Sequence, residues 1–250
     1  MKKRLTNLIS ILFKVYMAFV FVITLLFFYL PIRIFLTTEK QKQGVVFPIF
    51  VFWSRLLCFL CLFRVKANRF ERLPAEPVVF IANHTSFLDI IFMYLLFPDK
   101  PFLFLGKAEL LNVPLVKTFF KRLHIPVYRE KGSKSGQAIK QAGEAISKGW
   151  SVIIFPEGGI KEQHVPQLQP FKEGAFRLAA MQQVPLVPIT FLSNYLLFAD
   201  PSGKNSAAIP GVSYVHVHPT IPTPALQDED ITRLKELAFD MIDTPLKKLY

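Results

Sequence analysis

The fold of this chain is decided by a stretch that runs from residue 78 to residue 97 and reads VVFIANHTSFLDIIFMYLLF. Its first five residues are apolar, with β-branched and aromatic side chains, which is typical of a buried strand. A short polar turn follows, and Ser86 with Asp89 three residues later has the form of a capping box that starts a helix. The stretch therefore predicts a strand followed at once by a helix.

Outward from this stretch, the same alternation continues along residues 67–250. Strands are predicted at 78–82, 102–105, 125–128, 151–155, 186–191 and 214–217. Helices are predicted at 87–97, 109–122, 135–148 and 172–182, with a last helix from Asp228. We therefore expect one α/β domain with a mostly parallel open sheet and helices on both faces. Ligands bind such sheets at the carboxyl ends of the strands.

The first 66 residues have a different character. Residues 15–32 carry no charge, a length at the short end of what spans a bilayer. A second apolar segment, 45–63, is interrupted by Ser54 and Arg55, and a charge at the centre of a bilayer is costly. Bulky residues at 27–31 argue against cleavage as a signal peptide. We expect residues 1–66 to form an apolar two-helix membrane hairpin; whether the first helix crosses the bilayer is open at this point.

Composition supports a membrane partner. The 250 residues include 26 phenylalanines, the apolar fraction is 52% and the formal net charge is +12. A basic, apolar chain suits an anionic membrane surface or phosphate-bearing substrates. Nucleic acid is the rival partner for such charge, but no nucleic-acid-binding signature accompanies it, so none is expected. The positive-inside bias predicts the cytoplasmic face of the cell inner membrane.

The two cysteines, Cys58 and Cys61, form a Cys-x-x-Cys within an apolar run. A redox or zinc site would need exposure or further ligands. We interpret both as small apolar side chains on a buried or lipid-facing helix. No metal or organic cofactor is expected for this chain.

His84 and Asp89 are the candidate chemical pair. With Ser86 as the helix cap, Asp89 reaches back over the first turn and can meet one imidazole nitrogen, which leaves the other facing the cleft at the strand ends. A histidine in this setting can take a proton from an attacking alcohol, and an aspartate fixes its tautomer. The alternative, in which His84 ends a strand and Asp89 caps a helix without chemistry, stays open from these residues alone.

NHTSFLD at residues 83–89 resembles the first motif of the glycerophospholipid acyltransferase family, which includes the 1-acylglycerol-3-phosphate acyltransferases. Other segments are similar to its later motifs in the same order: 106–110 with Pro114 and 127–129, then 155–158, 171–176 and 187–189. Each segment alone is a weak match to its motif, and the resemblance rests on the order and spacing of all of them. The apolar N-terminal hairpin also resembles the two-helix membrane anchor of bacterial members.

The resemblance implies a role for each matching residue. His84 is expected to be the general base and Asp89 its orienting partner. Arg129 is expected to hold the phosphate of the acceptor, and Glu157 with Gly158 to position the acceptor's glycerol backbone. Further substrate contacts are expected from three residues in or near these motifs: Asn83, Lys107 and Lys172, the last as a second cation near the same anion.

The chain departs from the family pattern in two motifs. Gly159 and Ile160 stand where the third motif usually continues Thr-Arg, and that arginine is linked to binding of the acceptor phosphate. Lys161 follows directly, and its ammonium group is the expected substitute for the charge of that arginine. In the second motif, Lys117 and His124 stand where glycines are frequent. These departures do not change the expected base, His84, or its partner, Asp89.

The reaction that the resemblance implies is acyl transfer from acyl carrier protein or coenzyme A to the free hydroxyl of 1-acyl-sn-glycerol-3-phosphate, giving phosphatidic acid. The missing arginine leaves open O-acylation of a lyso-aminolipid of the ornithine- or glycine-lipid type. A non-enzymatic lipid-binding protein and a thioesterase or lipase are the other open classes. No Gly-x-Ser-x-Gly elbow is present, so direct transfer without an acyl-enzyme is expected.

Overall fold

The computed structural model describes residues 2–69, 71–128, 132–160, 165–199, 208–223 and 227–249. In these residues seven strands form one sheet in the order β1-β7-β6-β2-β5-β3-β4. The strands are β1 Phe63–Arg69, β2 Val79–Ala82, β3 Phe102–Lys107, β4 Ile125–Val127, β5 Ser151–Ile154, β6 Leu186–Phe191 and β7 Gly211–Val217.

The helices of the described residues alternate with these strands after residue 69. They are α1 Lys2–Phe35, α2 Glu39–Gln41, α3 Phe47–Leu60, α4 Leu88–Leu96, α5 Val116–Leu123, α6 Gly132–Ser147, α7 Gly174–Gln182, α8 Asn194–Leu197 and α9 Ile231–Lys247. A π-helical turn, Lys42–Val46, joins α2 to α3, and 3-10 turns lie at Ala108–Asn112 and Asp228–Asp230.

The sheet is mostly parallel, which confirms the prediction. β6, β2, β5, β3 and β4 run in one direction, and β7 pairs antiparallel with β6 while β1 runs parallel to β7. Every residue of β2, β5 and β6 is buried. Strands buried on both faces are expected where helices cover both sides of a parallel sheet. The ends of β2, β5 and β3 therefore lie side by side at one edge.

The helices pack in two groups, as expected for an α/β domain. α3 packs on α4, and both contact β1. α6 and α9 each pack on α7, and this group contacts β2, β5 and β6. Buried side chains from both groups and from the strands belong to one continuous hydrophobic core.

The second apolar helix is part of this core. The ring of Phe50 in α3 stacks on Tyr94 of α4 with centroids 5.5 Å apart, and Phe47 meets Phe102 of β3 edge-on at 5.0 Å. α1 lies against α3, where the indole of Trp53 donates a 2.9 Å hydrogen bond to Thr24 Oγ1. The predicted boundary after residue 66 falls inside β1, so the sheet takes residues from both sides of that division.

Two N-terminal helices are long and apolar enough to cross a bilayer by length and composition. They are Leu8–Phe35, with mean hydropathy 2.5, and Glu39–Leu60, with mean hydropathy 1.7. The first is only 17% buried and the second 44% buried. The outward side of α1 is therefore a long apolar surface that the other described residues leave uncovered. Arg55 is exposed, while its neighbour Ser54 is buried against the domain.

Three elements differ from the predictions, each for a local reason. β1 was not predicted because its sequence, FRVKANR, carries three basic residues; charged side chains are usual on an edge strand. The predicted helix 109–122 is broken at Pro114, which lacks the N–H that a continuous helix needs. α8 was not predicted, since one helical turn is too short for a periodic pattern.

His218 is a buried histidine that lies just after β7. Its Nε2 is 2.8 Å from Thr190 Oγ1, whose hydroxyl donates to the carbonyl of Ile242. Burial, with the nearby His216, lowers the pKa of His218 to about 4. This histidine therefore joins β6 to α9 as a neutral side chain.

Candidate active site

The carboxyl edge of the sheet brings together three segments that the sequence analysis singled out. β2 leads into residues 83–89, β5 leads into 155–158, and β3 ends at Lys107. β5 lies between β2 and β3, with Ile154 beside Ile81 and Ile153 beside Phe104. Three neighbouring parallel strands therefore deliver His84, Glu157 and Lys107 to one edge.

His84 and Asp89 form the predicted pair. The imidazole Nδ1 lies 2.8 Å from Oδ2 of Asp89, and the Asp89 side chain is fully buried. A carboxylate only accepts hydrogen bonds, so Nδ1 carries the hydrogen and Nε2 is left with a free lone pair. Nε2 makes no hydrogen bond within the described residues and is not a buried atom.

The turn before α4 holds Asp89 in place. Oδ2 accepts hydrogen bonds from the backbone N–H groups of Thr85, at 2.8 Å, and Ser86, at 3.0 Å. The predicted reach of Asp89 back over the first turn is thus present. The helix begins one residue later than predicted, at Leu88, whose N–H donates to Ser86 Oγ.

The aromatic ring of Phe155 stacks against the imidazole of His84. The rings of His84 and Phe155 stack with centroids 4.0 Å apart and an angle of 14° between their planes. Phe155 follows β5 directly, so the strand next to β2 fixes the tilt of the imidazole. The stacking and the Asp89 hydrogen bond together restrict the ring, which is what a preorganised base requires.

Glu157 contacts the backbone of the base. Its Oε1 accepts the N–H of His84 at 2.8 Å, and its Oε2 accepts the N–H of Gln169 at 2.9 Å. The residue is only 7% exposed. Burial raises the pKa of Glu157, and the two backbone hydrogen bonds oppose that rise. Both oxygens of the carboxylate are thus engaged by the protein itself, where an interaction with the acceptor was expected.

Gly158 and Lys172 lie against each other. Gly158 has φ of +81°, a conformation that side chains rarely adopt, and a Cβ there would come within 3.0 Å of Lys172 Nζ. Lys172 is exposed, and its side chain passes over this glycine. The predicted second cation is therefore beside the segment that carries Glu157.

The other predicted contacts divide into three cases. Asn83 is buried; its Nδ2 donates to the carbonyl of Phe191 at 2.9 Å and its Oδ1 accepts the N–H of the same residue at 2.7 Å. This buried amide joins the ends of β2 and β6. Lys107 is exposed at the end of β3. Arg129 and Lys161 lie outside the described residues.

The sequence analysis did not identify two residues that complete the site, Asn194 and Ser213. Asn194, the first residue of α8, donates from Nδ2 to Asp89 Oδ1 at 2.6 Å, and its own Oδ1 accepts from the hydroxyl of Ser213 in β7. All three side chains are fully buried. The feature of the sequence that could have identified Asn194 is its position. It is a polar residue just after β6, and the end of β6 lies beside the end of β2.

The geometry defines a class of site, an imidazole–carboxylate general base at the open edge of an α/β sheet. Such a base can remove the proton of a hydroxyl as that hydroxyl attacks. The described residues contain no group of three or more His, Cys, Asp or Glu placed to hold a metal ion.

Comparison with known proteins assigns the family. The family model described as Acyltransferase matches residues 64–192, and the chain belongs to that family. A 1-acyl-sn-glycerol-3-phosphate acyltransferase of Chlamydomonas reinhardtii is 35% identical over 150 residues, which are 60% of this chain and 43% of the relative. The alpha form of that enzyme from Mus musculus is 31% identical over 169 residues, covering 65% and 56%.

A solved structure shares the fold. The crystal structure of the 1-acyl-sn-glycerophosphate (LPA) acyltransferase PlsC from Thermotoga maritima superposes with a TM-score of 0.77 at 19% identity, over 98% of this chain and 97% of that one. The curated relatives are longer: the chain spans 43% to 45% of the algal and plant proteins it matches.

Proposed function

We propose that the protein transfers a fatty acyl group from a thioester donor to the free hydroxyl of 1-acyl-sn-glycerol-3-phosphate, forming phosphatidic acid. The observation that carries the proposal is the His84–Asp89 hydrogen bond at the sheet edge, with Nε2 left to accept a proton. Membership of the acyltransferase family and the names of the relatives support the reaction class and the acceptor.

In the proposed reaction, Nε2 of His84 takes the hydroxyl proton while the acceptor oxygen attacks the thioester carbonyl. The carbon–sulfur bond then breaks, and the proton on His84 passes to the leaving thiolate. Asp89 stabilises the imidazolium that exists between these steps. The acyl group never resides on the protein, because no serine or cysteine among the described residues is hydrogen-bonded to His84.

The exposed cations at the edge have a role in this proposal. Lys107 lies at the end of β3 and Lys172 lies beside Gly158, and both are exposed. Ammonium groups there attract the phosphate of the acceptor and the acidic donor, whether acyl carrier protein or coenzyme A. Gly159 and Ile160, in place of Thr-Arg, favour a second candidate, O-acylation of a lyso-aminolipid that carries no phosphate.

A parallel acceptor assay tests the proposal. Detergent-solubilised protein is given radiolabelled acyl-carrier-protein or coenzyme A thioester, with either 1-acyl-sn-glycerol-3-phosphate or a lyso-aminolipid as acceptor. We expect labelled phosphatidic acid from the wild type and its loss, by about 10²–10⁴-fold, in His84→Ala.

The other outcomes are equally informative. Product from the lyso-aminolipid alone would replace the acceptor and retain the mechanism. Release of free fatty acid without acceptor dependence would show a hydrolase. Full activity in a folded His84→Ala protein would remove His84 from its role as the base.

We also propose that residues 1–66 anchor the catalytic domain, residues 67–250, to the cytoplasmic face of the cell inner membrane, with membrane phospholipid as a permanent contact. The uncovered apolar side of α1 supports this, since a monomeric soluble protein rarely leaves so large a surface exposed. Basic residues at positions 2–4 and at 64, 66 and 69 flank the two apolar helices on the side that anionic headgroups would meet.

Flotation with vesicles tests this attachment. Phe27 on α1 is 73% exposed and Met181 on α7 is 69% exposed, which makes them a matched pair of uncovered apolar residues. With protein synthesised in the presence of phosphatidylethanolamine–phosphatidylglycerol vesicles, Phe27→Asp should reduce the floating fraction by about tenfold, because a charge inside the apolar layer costs about 2.5–3.5 kcal/mol. Met181→Asp should float like the wild type; equal flotation of both variants would contradict the proposal.

A further inference from the structure

A buried chain of hydrogen bonds runs away from the catalytic pair. It passes from His84 to Asp89, then to Asn194 and to Ser213. The four residues lie on or beside β2, α4, α8 and β7, so the chain crosses half of the sheet. Within the described residues, Asn194 is the only side chain outside residues 84–89 that donates to Asp89.

The chemistry of the four groups fixes every hydrogen in this chain. The Asp89 carboxylate only accepts, so Asn194 must present its NH₂ group to Oδ1. The amide oxygen of Asn194 then has to accept, and the hydroxyl of Ser213 is its donor. An amide turned the other way would place two oxygens against each other at Asp89.

The turn that carries Asn194 is held at both ends. Asn83 ties Phe191, at the end of β6, to the end of β2. The hydroxyl of Ser86 donates to the carbonyl of Phe198, just after α8. α8 is therefore held against the turn that carries the catalytic pair.

We infer that Asn194 is a positioning residue of the acyltransferase site, set in its orientation by Ser213, and that it holds the Asp89 carboxylate in the rotamer that keeps His84 Nδ1 protonated. The inference rests on the proposed role of His84 as the base. Three donors already meet Oδ2, so the donor on Oδ1 determines how the carboxylate can rotate. Without it, Asp89 turns towards the backbone donors and its hold on the imidazole weakens.

The test compares Asn194→Ala and Ser213→Ala with the matched variant Ser193→Ala. Ser193 precedes Asn194, and among the described residues its hydroxyl bonds to the backbone of β7 alone, at the carbonyl of Val212 and the N–H of Tyr214. We expect kcat to fall about 10- to 100-fold in Asn194→Ala, the equivalent of one lost hydrogen bond to a charged group. A smaller loss is expected in Ser213→Ala, and Ser213→Thr, which keeps the hydroxyl, should recover it.

Three readouts separate positioning from a general loss of structure. The KM for donor and acceptor should stay within about twofold of the wild type, because no binding group is removed. The acid limb of the kcat/KM–pH profile should move to lower pH in Asn194→Ala, since an Asp89 carboxylate that has turned away from Nδ1 stabilises the imidazolium form less. Ser193→Ala should retain the wild-type kcat and pH profile.

The inference is overturned if folded Asn194→Ala keeps kcat and the pH profile, or if Ser193→Ala shows the same losses. His84→Ala, run alongside, separates this failure from that of the proposed function. An inactive His84→Ala protein with an unaffected Asn194→Ala protein would remove only the positioning role. An active His84→Ala protein would remove the base as well.

Discussion

Asp89→Asn is expected to lower kcat by about 10²–10⁴-fold, with the overall fold retained. Asparagine has the size of aspartate but only one acceptor oxygen. If that oxygen stays where Oδ2 now accepts three hydrogens, the new NH₂ faces the NH₂ of Asn194. If the amide turns over, its NH₂ faces His84 Nδ1 and stabilises the tautomer whose Nε2 cannot take a proton. The first orientation removes the negative charge that stabilises the imidazolium, and the second removes the free lone pair of Nε2.

Steady-state rates in detergent micelles, with circular dichroism to verify folding, measure this effect. Asp243→Asn is the matched control: Asp243 is also a buried carboxylate, but it pairs with Lys247 on α9, away from the sheet edge. We expect its kcat to equal that of the wild type. A folded Asp89→Asn protein with wild-type kcat would show that the carboxylate charge has no part in the reaction.

Glu157→Gln is expected to lower kcat by about 10- to 100-fold while the KM for the acceptor stays within about twofold. The two oxygens of Glu157 accept the N–H groups of His84 and Gln169, and glutamine can accept only one of them. The other N–H then faces the NH₂ of the new side chain, and the backbone of His84 shifts. A rise in the acceptor KM with kcat unchanged would instead support the direct contact with the acceptor that the family resemblance implies.

The pH dependence of the same variant gives a second measure. Burial raises the pKa of Glu157 above 4.5, the value of an ordinary glutamate. The carboxylate of Glu157 therefore takes up a proton at a higher pH than an ordinary glutamate does. Protonation removes one of its two acceptors, so wild-type kcat should begin to fall as pH decreases towards that raised pKa. Glu157→Gln should lack this component. Glu173→Gln is the matched control, since Glu173 is half-buried and pairs with Arg177 and Lys235 on the protein surface instead of with the backbone of His84.

The catalytic pair could be predicted because it is local. His84 and Asp89 are five residues apart, and the form of the helix start is enough to bring Asp89 back over the turn. The central strands could be predicted for a related reason: they are short apolar runs, buried on both faces, and each is followed by a turn. The family motifs added the expectation that Glu157 and Lys172 lie at the same edge.

The contacts that complete the site are not local. Asn194 is 105 residues from Asp89, and Glu157 is 73 residues from the His84 N–H that it accepts. Neither partner can be assigned before the strand order is known, because that order decides which strand ends are neighbours. The contact of Asn83 could not be predicted for the same reason, since its partner Phe191 is 108 residues away. The basic edge strand β1 carries no apolar pattern that could reveal it.

The pairing of β1 with β7 sets the stage of synthesis at which the hydrogen bonds around the site can be completed. β1 is the first strand along the chain and β7 the last, so this edge of the sheet closes only after nearly the whole chain has left the ribosome. Ser213 arrives with β7, and with it the last donor of the chain that ends at His84. α1 and α3 are synthesised long before. Contacts between such distant segments form late in folding. Under the membrane attachment proposed above, the apolar helices meet the bilayer before Ser213 completes the hydrogen bonds around Asp89.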